Sequence, residues 1–411
     1  MISAEHFNLR HLRAFWQVAQ SGSISAASER AYLSQPAITQ ALSKLEGMIG
    51  ARLFVRSSTG MIRTEAGECL YHRVDRALDM IAAGSMQAAR RTGRGRQSGR
   101  GFHHLLTTVQ LRAFLALAET GTFSQAARQL EIARPSVHRA INDIERIAGF
   151  ALFENSAHGM IPTPAGDVFR KAVLLAFDEL RQAIEEVGLL GGRDRARIVV
   201  GSLPLARSEI LPTVINEMTI IRPDLHIVVR DGAYGDLLRA LRYGEIDLLI
   251  GALRSPDPAD DVQQEALFVD KLAIIARAGH PLAGQRMVEA RLLIDYPWVT
   301  PSPNIPTREQ FDALFRASGT GTPSRIVETS SLVLIRGLLS ASDKLTIISR
   351  HQVARELDAG LLTALDFPLP GSDREIGITT RLNWSPTATQ VLFVEKLRAC
   401  CAAVGDKLSG N

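Results

Sequence analysis

Residues 12–67 read LRAFWQVAQSGSISAASERAYLSQPAITQALSKLEGMIGARLFVRSSTGMIRTEAG, and residues 111–166 repeat this pattern at a constant offset of 99 without a gap. Both stretches begin with Leu-Arg-Ala-Phe, carry Leu-Phe ahead of a Gly-Met-Ile triplet, and end in Ala-Gly. Roughly a third of the paired positions are identical, which chance at a fixed register would not produce. We therefore infer that an N-terminal module is duplicated.

Each copy has the pattern of three short helices followed by two short strands. In copy one, residues 38–45 place apolar side chains at helical spacing, as two shorter segments do before them. Ser34 and Pro36 supply an N-cap and a first-turn proline for this third helix. The apolar pairs at 53–54 and 61–62 flank a turn, which predicts a two-stranded wing.

A further helix is predicted after each copy. In copy two its apolar seam has heptad spacing and consists of Val173, Phe177, Leu180, Ile184 and Val187. A helix packed on its own domain is one interpretation, but the charged residues lie outside the stripe, which favours dimerisation. The equivalent helix of copy one is expected to be shorter and to end at Gly84.

The segment Arg90–Gly101 reads RRTGRGRQSGRG and contains five arginines, four glycines and no apolar residue. Because it has nothing to bury, it is predicted to be a flexible basic tether. Its arginines either add attraction to phosphates or are simply solvated.

Composition and charge exclude several classes of protein. The 411 residues, 46% hydrophobic, are enough for several cores, and no apolar run is long enough to predict a membrane span. The net charge is +4, of which about +7 falls in residues 1–109 and about −3 in the remainder, as suits a head that binds a polyanion. Cys69, Cys400 and Cys401 have neither zinc-site nor disulfide spacing, so we predict a cytoplasmic protein with no metal or other cofactor and interpret Cys69 as a buried hydrophobe.

From Arg197 onward the pattern alternates between strand and helix. Strands are predicted at 198–200, 227–229 and 248–250, with helices near 210–218 and 237–241 between them. This alternation predicts a parallel sheet covered by helices.

Particular motifs connect the chain to a known family. The stretch Ser34-Gln35-Pro36-Ala37-Ile38-Thr39, ending in Leu45-Glu46, and the wing Leu53-Phe54-Val55-Arg56 resemble LysR-type transcriptional regulators. Gly201-Ser202, Ile221-Arg222-Pro223 and residues 244–251 (GEIDLLIG) resemble the effector domain of the same family. The departure is that the family pattern has one winged helix-turn-helix module per chain, whereas this sequence has two.

The resemblance implies a multi-domain protein with two mainly α-helical winged helix-turn-helix modules and an α/β, two-lobed effector domain resembling periplasmic binding proteins. The expected divisions are module copy one at 1–67, linker helix and tether at 68–106, copy two at 107–166, a dimerisation helix at 167–192, and the effector domain at 195–405. Within the effector domain we expect lobe I at about 197–268 and 373–405, and lobe II at about 269–370.

Copy one carries the predicted DNA-reading surface. A recognition helix enters the major groove with its N-terminal residues facing base edges, so the candidate readers are Gln35, Thr39, Gln40 and Ser43. Lys44 and the wing residue Arg56 would hold phosphates.

Copy two differs at this surface. Its corresponding side chains include Arg134, His138 and Arg139, but Asp143 stands in place of Lys44 and Asn155 in place of Arg56. We therefore predict that copy one is the main reader, while copy two either reads a second half-site or acts as a spacer.

Hydroxyl side chains follow several predicted strands of the effector domain, where ligands of open α/β sheets bind. The candidate effector-binding residues are Ser202, Thr300, Ser302, Thr329, Ser330 and Ser331. Such hydroxyls suit a carboxylate or a sugar-derived molecule, although each alone is more often an ordinary helix cap.

The sequence thus predicts a sequence-specific regulator that binds double-stranded DNA, responds to a small-molecule effector and forms a homodimer or homotetramer. Two alternatives are an enzyme on the two-lobed scaffold and an interaction protein that does not bind DNA. The adjacent carboxylates Asp260-Asp261 and Glu185-Glu186 are better read as solvated, and no nucleophile and base pairing or metal-ligand spacing supports the enzyme.

Overall fold

The computed structural model describes residues 7–58, 60–93, 102–192, 196–303, 305–319 and 321–409. The chain divides into two compact units, the first made mainly of residues 1–197 and the second of most of the remainder. No helix in the described ranges is both long enough and apolar enough to cross a membrane.

In the first unit, one order of elements occurs twice. The first set comprises α1 (Leu9–Ser21), α2 (Ile24–Ala31), α3 (Gln35–Ile49), β1 (Phe54–Ser57), β2 (Gly60–Arg63) and α4 (Glu65–Arg91). After a short 3-10 helix at Phe102–Leu105, the second set comprises α5 (Thr108–Thr120), α6 (Phe123–Gln129), α7 (Arg134–Ala148), β3 (Phe153–Ser156), β4 (Gly159–Pro162) and α8 (Pro164–Leu190). Each set contains the three short helices and antiparallel wing that the sequence predicts.

The two sets share close contacts at equivalent positions. A Cβ atom on Gly60 would lie 2.4 Å from the carbonyl oxygen of Gly22, and one on Gly159 would lie 2.5 Å from that of Gly121. Both wing glycines have a positive φ, 126° and 120° respectively. Only glycine therefore fits here, and the wing is held against the turn between the first two helices in both sets.

The third helices begin differently. The Ser34 side chain accepts a hydrogen bond from the Ala37 N–H at the start of α3, whereas Ala133 provides no side-chain cap for α7. Prolines in the first turn of both helices are compatible with their unpaired N-terminal N–H groups. The substitution of the serine cap therefore weakens the start of α7 without preventing the helix.

The helix after the first set is longer than predicted. The prediction that it ends at Gly84 is wrong, because α4 continues to Arg91 and has 27 residues, as α8 has. A Cβ on Gly84 would lie 2.1 Å from the Cβ of Ala172, so this glycine allows α4 and α8 to approach closely. Packing against α8 offsets the cost of about 1 kcal/mol that a glycine imposes inside a helix.

The seam of α8 is covered by α4 of the same chain. Val173, Leu180 and Val187 are at most 1% exposed, and they belong to one core that also contains apolar residues of α4. The predicted tether begins inside α4, since Arg90 and Arg91 are helical, and its residues 94–101 lie outside the described residues.

The second unit contains a mixed sheet with helices. Its strands are β5 (Arg197–Ser202), β6 (His226–Asp231), β7 (Leu248–Ala252), β8 (Val262–Arg277), β9 (Trp298–Thr300), β10 (Ile326–Glu328), β11 (Leu345–Ser349), β12 (Leu362–Ala364) and β13 (Asp373–Arg381). Its helices are α9 (Ile210–Ile221), α10 (Tyr234–Arg242), α11 (Ala290–Leu293), α12 (Pro306–Ser318), α13 (Leu332–Ser340), α14 (Ala354–Asp358) and α15 (Ala388–Ser409), with 3-10 helices at Pro204–Arg207 and Arg350–Val353. Among these residues the strand order is β10-β9-β11-β8-β13-β7-β5-β6, with β12 on β8.

The prediction of a parallel sheet holds only for part of this unit. The pairs β5–β7, β9–β10 and β9–β11 are parallel, but β8 and β13 pair antiparallel with their neighbours. The reason is that β8 and β13 carry the chain between the lobes in opposite directions. The first part of β8 pairs with β13, and from Leu272 onward β8 pairs with β11, so the crossing falls near residues 269–272.

A buried ion pair holds the two crossing strands together. Asp270 is 0% exposed and accepts hydrogen bonds from Nε and Nη2 of Arg374 at 2.8 and 2.7 Å. The hydroxyl of Ser349, at the end of β11, also donates to Asp270 at 2.6 Å. The carboxylate therefore connects three strands at the place where one lobe passes into the other.

Candidate functional site

The predicted readers of copy one lie around a single concave surface. Its lining includes Ile24, Gln35, Pro36, Thr39, Gln40, Ser43, Lys44 and Arg56. The predicted polar residues of α3 lie on one face of that helix, and Arg56 lies on β1. All six of these polar side chains are exposed. Amide, hydroxyl and cationic groups thus meet on one face of α3 and the adjoining wing strand, as the grooves and phosphates of DNA require.

Two of these side chains are already held in place. The Gln35 Nε2 donates to the Ser25 hydroxyl of α2 at 3.1 Å, and the Thr39 hydroxyl donates to the Gln35 carbonyl oxygen at 3.0 Å. A side chain that is oriented in the free protein loses less conformational entropy when it binds. The geometry therefore favours α3 as a recognition helix.

Sequence reasoning missed Tyr32, which lies in the turn between α2 and α3. Its side chain is 95% exposed and its φ is +51°, a left-handed conformation that is unusual for an aromatic residue. The equivalent residue of copy two, Glu131, has a φ of +56°. The turn therefore presents a neutral hydroxyl in copy one and a carboxylate in copy two, a difference visible in the repeat alignment.

The predicted residues of copy two are also exposed on one helix. Arg134, His138 and Arg139 lie on α7. The His138 ring packs 4.9 Å from the Phe123 ring, centroid to centroid, and its Nδ1 is 3.0 Å from the Asn142 amide nitrogen. This surface retains hydrogen-bonding groups, two of them guanidinium groups.

The charge around α7 is less favourable to phosphate than that around α3. Asp143 forms a surface ion pair with Arg146 at 3.2 Å, and Asn155 of β3 is exposed where copy one has Arg56. The two modules therefore share a fold and differ in the electrostatics of their exposed helix faces.

In lobe II, the structure brings three of the predicted effector residues together. The Thr300 carbonyl oxygen at the end of β9 accepts a hydrogen bond from the Thr329 N–H at 2.8 Å, and the Ser331 N–H donates to the Thr329 hydroxyl at 3.1 Å. Ser331 is also the N-cap of α13, while Ser330 between them is exposed. Strand ends and a helix N-terminus meet here, the arrangement in which backbone N–H groups bind anions.

Thr300 differs from the other hydroxyl residues in this group. It is 2% exposed, and its hydroxyl has no hydrogen-bond partner among the described residues. A buried hydroxyl without a partner is uncommon in folded proteins and requires an explanation.

The remaining two predicted residues lie apart from this group. Ser202 ends β5 in lobe I, is buried and donates to the Leu203 carbonyl oxygen at 3.2 Å, and Ser302 is exposed beyond β9. Within the described ranges no hydrogen bond joins either residue to Thr300, Thr329 or Ser331. Their convergence with the lobe II group stays a prediction.

Two models of known protein families match this chain. The model of the LysR substrate binding domain matches residues 191–402, and that of the bacterial regulatory helix-turn-helix protein of the lysR family matches residues 9–68 and again 108–167. The chain is 34% identical over 386 residues to the HTH-type transcriptional regulator GalR of Pseudomonas putida, covering 93% of this chain and 94% of that one. It is 28% identical over 299 residues to the HTH-type transcriptional regulator PcaQ of Agrobacterium fabrum, covering 72% of this chain and 95% of that one.

A solved structure shows the same fold. A full-length variant of OxyR from Pseudomonas aeruginosa superposes with a TM-score of 0.51 at 22% identity, covering 72% of this chain and 94% of that one. With a helix-turn-helix match, an effector-domain match and relatives that are transcriptional regulators, the chain belongs to the LysR family and is a DNA-binding transcription regulator that responds to an effector.

Proposed function

We propose that the two N-terminal modules are copies of one winged helix-turn-helix and that copy one is the principal reader of DNA. The constant offset, the equivalent glycine contacts of the two wings and the twofold match of the helix-turn-helix family support the duplication. The alignment with GalR spans 386 residues and is long enough to include both modules, whereas the alignment with PcaQ spans only 299 residues.

The observation that carries the ranking of the copies is the single surface shared by the α3 side chains and Arg56. Gln35, Thr39, Gln40 and Ser43 can hydrogen-bond to base edges there, while Lys44 and Arg56 pair with phosphates. We further propose that Tyr32, which is exposed in the turn before α3, contacts a phosphate through its hydroxyl.

Copy two reads a second, different half-site with lower affinity. Arg134 and Arg139 are exposed on α7, and a guanidinium can bind O6 and N7 of guanine in the major groove. Asp143, Glu131 and the absent wing arginine reduce its attraction to the phosphate backbone.

Gel-shift titration of Arg56→Ala and Arg139→Ala proteins tests the ranking. Loss of one phosphate contact should lower affinity on all DNA sequences and reduce the slope of log affinity against log salt by about 1, so Arg56→Ala is expected to show the larger loss on non-specific DNA. Arg286→Ala, which removes an exposed arginine from the second unit, is the matched control. Equal losses for the two module variants would refute the ranking.

For the effector we propose a small molecule with a carboxylate or sugar hydroxyls, bound where β9 and β10 end and α13 begins. The buried hydroxyl of Thr300, which has no hydrogen-bond partner in the part of the chain that the structure describes, and the N-terminus of α13 beside Thr329 and Ser331 support this site. Ser202 and Ser302 are proposed to complete it when the lobes close. Closure would then change the arrangement of subunits in a homodimer or homotetramer, and with it the spacing at which the modules meet DNA.

A thermal-shift screen of aliphatic and aromatic monocarboxylates against neutral sugars tests the effector site. A compound that stabilises the wild type should lose this effect in Thr300→Val, which keeps the side-chain volume but removes the hydroxyl. Thr219→Val on α9, an exposed threonine, is the control. An equal shift in wild type and Thr300→Val would place the ligand elsewhere.

We also propose that the protein acts in the bacterial cytoplasm and has no catalytic activity. The family and its relatives regulate transcription, which supports a sensor rather than an enzyme. The ligand identified by the thermal screen should therefore be recovered unchanged after incubation with the protein, and release of a product would favour the enzyme.

A further inference from the structure

A buried cluster of charges joins α4 to α8 and includes Glu186, so the prediction that Glu185-Glu186 is solvated is wrong. The Arg73 guanidinium of α4 has a side chain only 4% exposed and donates to Glu179 at 2.8 Å and to both carboxylate oxygens of Glu186, at 2.5 and 3.0 Å. Arg76 adds a hydrogen bond to Glu179 at 3.0 Å, and the Glu179 side chain is 7% exposed. Burial by itself lowers the pKa of Arg73, but the hydrogen bonds to Glu186 and Glu179 raise it by more. The net shift is upward, so the guanidinium stays charged.

The two helices pack antiparallel, as two copies related by a twofold axis would. Arg73 contacts residues late in α8, whereas Gly84, later in α4, contacts Ala172, early in α8. Near the start of the modules, the Leu9 N–H donates to the Thr108 hydroxyl at 3.0 Å. Leu9 and Thr108 are equivalent at the offset of 99, and a contact between equivalent residues lies on the axis that relates the copies. Within one chain, the two modules therefore form a pseudo-dimer with a common core.

The charges of this pseudo-dimer are not symmetric. At the offset of 99, the counterparts of Arg73, Glu179 and Glu186 are Ala172, Met80 and Gln87. All the basic residues of the cluster are thus on α4 and both of its carboxylates are on α8.

This asymmetry decides which helices can pair. If α4 met a second α4 in the same antiparallel manner, Arg73 would face Met80 and Gln87 and would be buried without a carboxylate. If α8 met a second α8, Glu179 and Glu186 would face Ala172 and would be buried without a cation. A buried charge that has lost its partner is strongly destabilising, so only the unlike pair, α4 with α8, is satisfied.

We propose that α4 and α8 are an obligate unlike pair formed within one chain, so that a single chain, rather than two, supplies the complete two-module DNA-binding head. The cluster of Arg73, Glu179 and Glu186 directs this pairing and excludes pairing of like helices between chains. Assembly into oligomers is thereby left to surfaces other than the α4–α8 seam. This inference concerns the pairing of the modules and holds whichever module binds DNA more tightly.

A charge exchange within the full-length chain tests the proposal. Arg73→Glu would place three carboxylates together, and Glu179→Arg with Glu186→Arg would place arginines together, whereas the triple variant R73E/E179R/E186R restores opposite charges within one chain. Hydrogen exchange measured by mass spectrometry on peptides from α4 and α8 reports the pairing, with peptides of the second unit as an internal control of folding.

We expect exchange from α4 and α8 to become roughly 100-fold faster in the Arg73→Glu chain and in the Glu179→Arg/Glu186→Arg chain, and to slow again in the triple variant. The two damaged chains are then co-expressed with different tags and purified through both tags. Pairing between chains would bring the introduced carboxylate of one chain to the two introduced arginines of the other and restore protection, whereas pairing within a chain leaves both unprotected.

Recovery in the triple variant together with none in the co-purified mixture would establish the single-chain head. Protection in the mixture equal to that of the triple variant would show that the helices exchange between chains and would overturn the proposal. Unchanged exchange in the two damaged chains, or no recovery in the triple variant, would equally overturn it, because the charges would then not direct the pairing.

Discussion

Replacement of Gly84 by alanine is the sharpest test of how α4 packs on α8. The new Cβ would lie 2.1 Å from the Ala172 Cβ and 3.6 Å from its Cα. Since methyl carbons do not approach closer than about 3.5 Å, the two helices must separate by roughly 1.5 Å at this point. Neither atom is the end of a flexible side chain, so the backbones themselves must move.

The expected change in the stability of the α4–α8 pair is the difference between two opposing effects. Forcing an extra methyl group into a packed core costs about 1–3 kcal/mol, and the backbone position of both atoms favours the upper end of this range. Replacing glycine by alanine inside a helix returns about 1 kcal/mol. We therefore expect Gly84→Ala to destabilise the α4–α8 pair by about 2 kcal/mol, a roughly 30-fold increase in exchange of α4 amides that open with this pair.

Gly47→Ala is the matched control. Gly47 lies within α3, and a Cβ there would meet no atom of the described residues within 4 Å. This substitution should stabilise the first unit by about 0.5–1 kcal/mol, opposite in sign to Gly84→Ala. A compensating change, Ala172→Gly combined with Gly84→Ala, restores one methyl group to the contact and should show a favourable coupling of about 1–2 kcal/mol.

The assay is native-state hydrogen exchange of the full-length variants, read on peptides of α4 and α8. If Gly84→Ala and Gly47→Ala shift exchange in the same direction, or if Ala172→Gly brings no recovery, the close approach of the two helices is wrong.

Three further predictions concern other parts of the chain. Asp270→Asn should lower the stability of the second unit by about 3–5 kcal/mol, because Arg374 loses its buried anionic partner at the lobe crossing; hydrogen exchange of β8 amides measures this loss. Burial, then the nearby His104 and Arg13, lowers the pKa of His103 from 6.5 to about 4, so the neutral form is favoured in the folded protein. The unfolded chain then takes up a proton as the pH falls below 6.5, and the unfolding temperature of the first unit should decrease between pH 6.5 and pH 4, less steeply in His103→Gln. Burial raises the pKa of the Cys401 thiol to about 12 and also raises that of the half-buried Cys69, so both should resist iodoacetamide at about pH 8 in the native protein and react in urea; rapid labelling of Cys69 in the native protein would contradict its interpretation as a buried hydrophobe.

The elements that the sequence predicted well depend on local signals. Helical spacing, the Ser34 cap and the glycine turns are properties of a few neighbouring residues, so α3 and both wings were predicted close to their observed positions. The common exposed face of the predicted readers followed from the same periodicity, because residues three and four apart on α3 must share a face. Tyr32 was missed because its exposure depends on the left-handed turn rather than on any apolar pattern.

The errors arose where packing outweighs local preference. A glycine inside an apolar pattern is an ordinary signal for a helix end, yet Gly84 continues α4 because the space left by its missing side chain is filled by Ala172. Likewise, strand alternation predicts parallel pairing, but the direction of β8 and β13 depends on the crossing between lobes.

The amino-acid sequence was sufficient to predict the family, the repeat and the difference in charge between the exposed faces of α3 and α7, because these are properties of residue identity and spacing. The partner of the α8 seam was decided by the tertiary structure alone. A heptad stripe shows that a helix must bury one face, but every complementary stripe satisfies that requirement equally. Only the folded chain brings Arg73 to Glu179 and Glu186, and this contact identifies α4 as the partner.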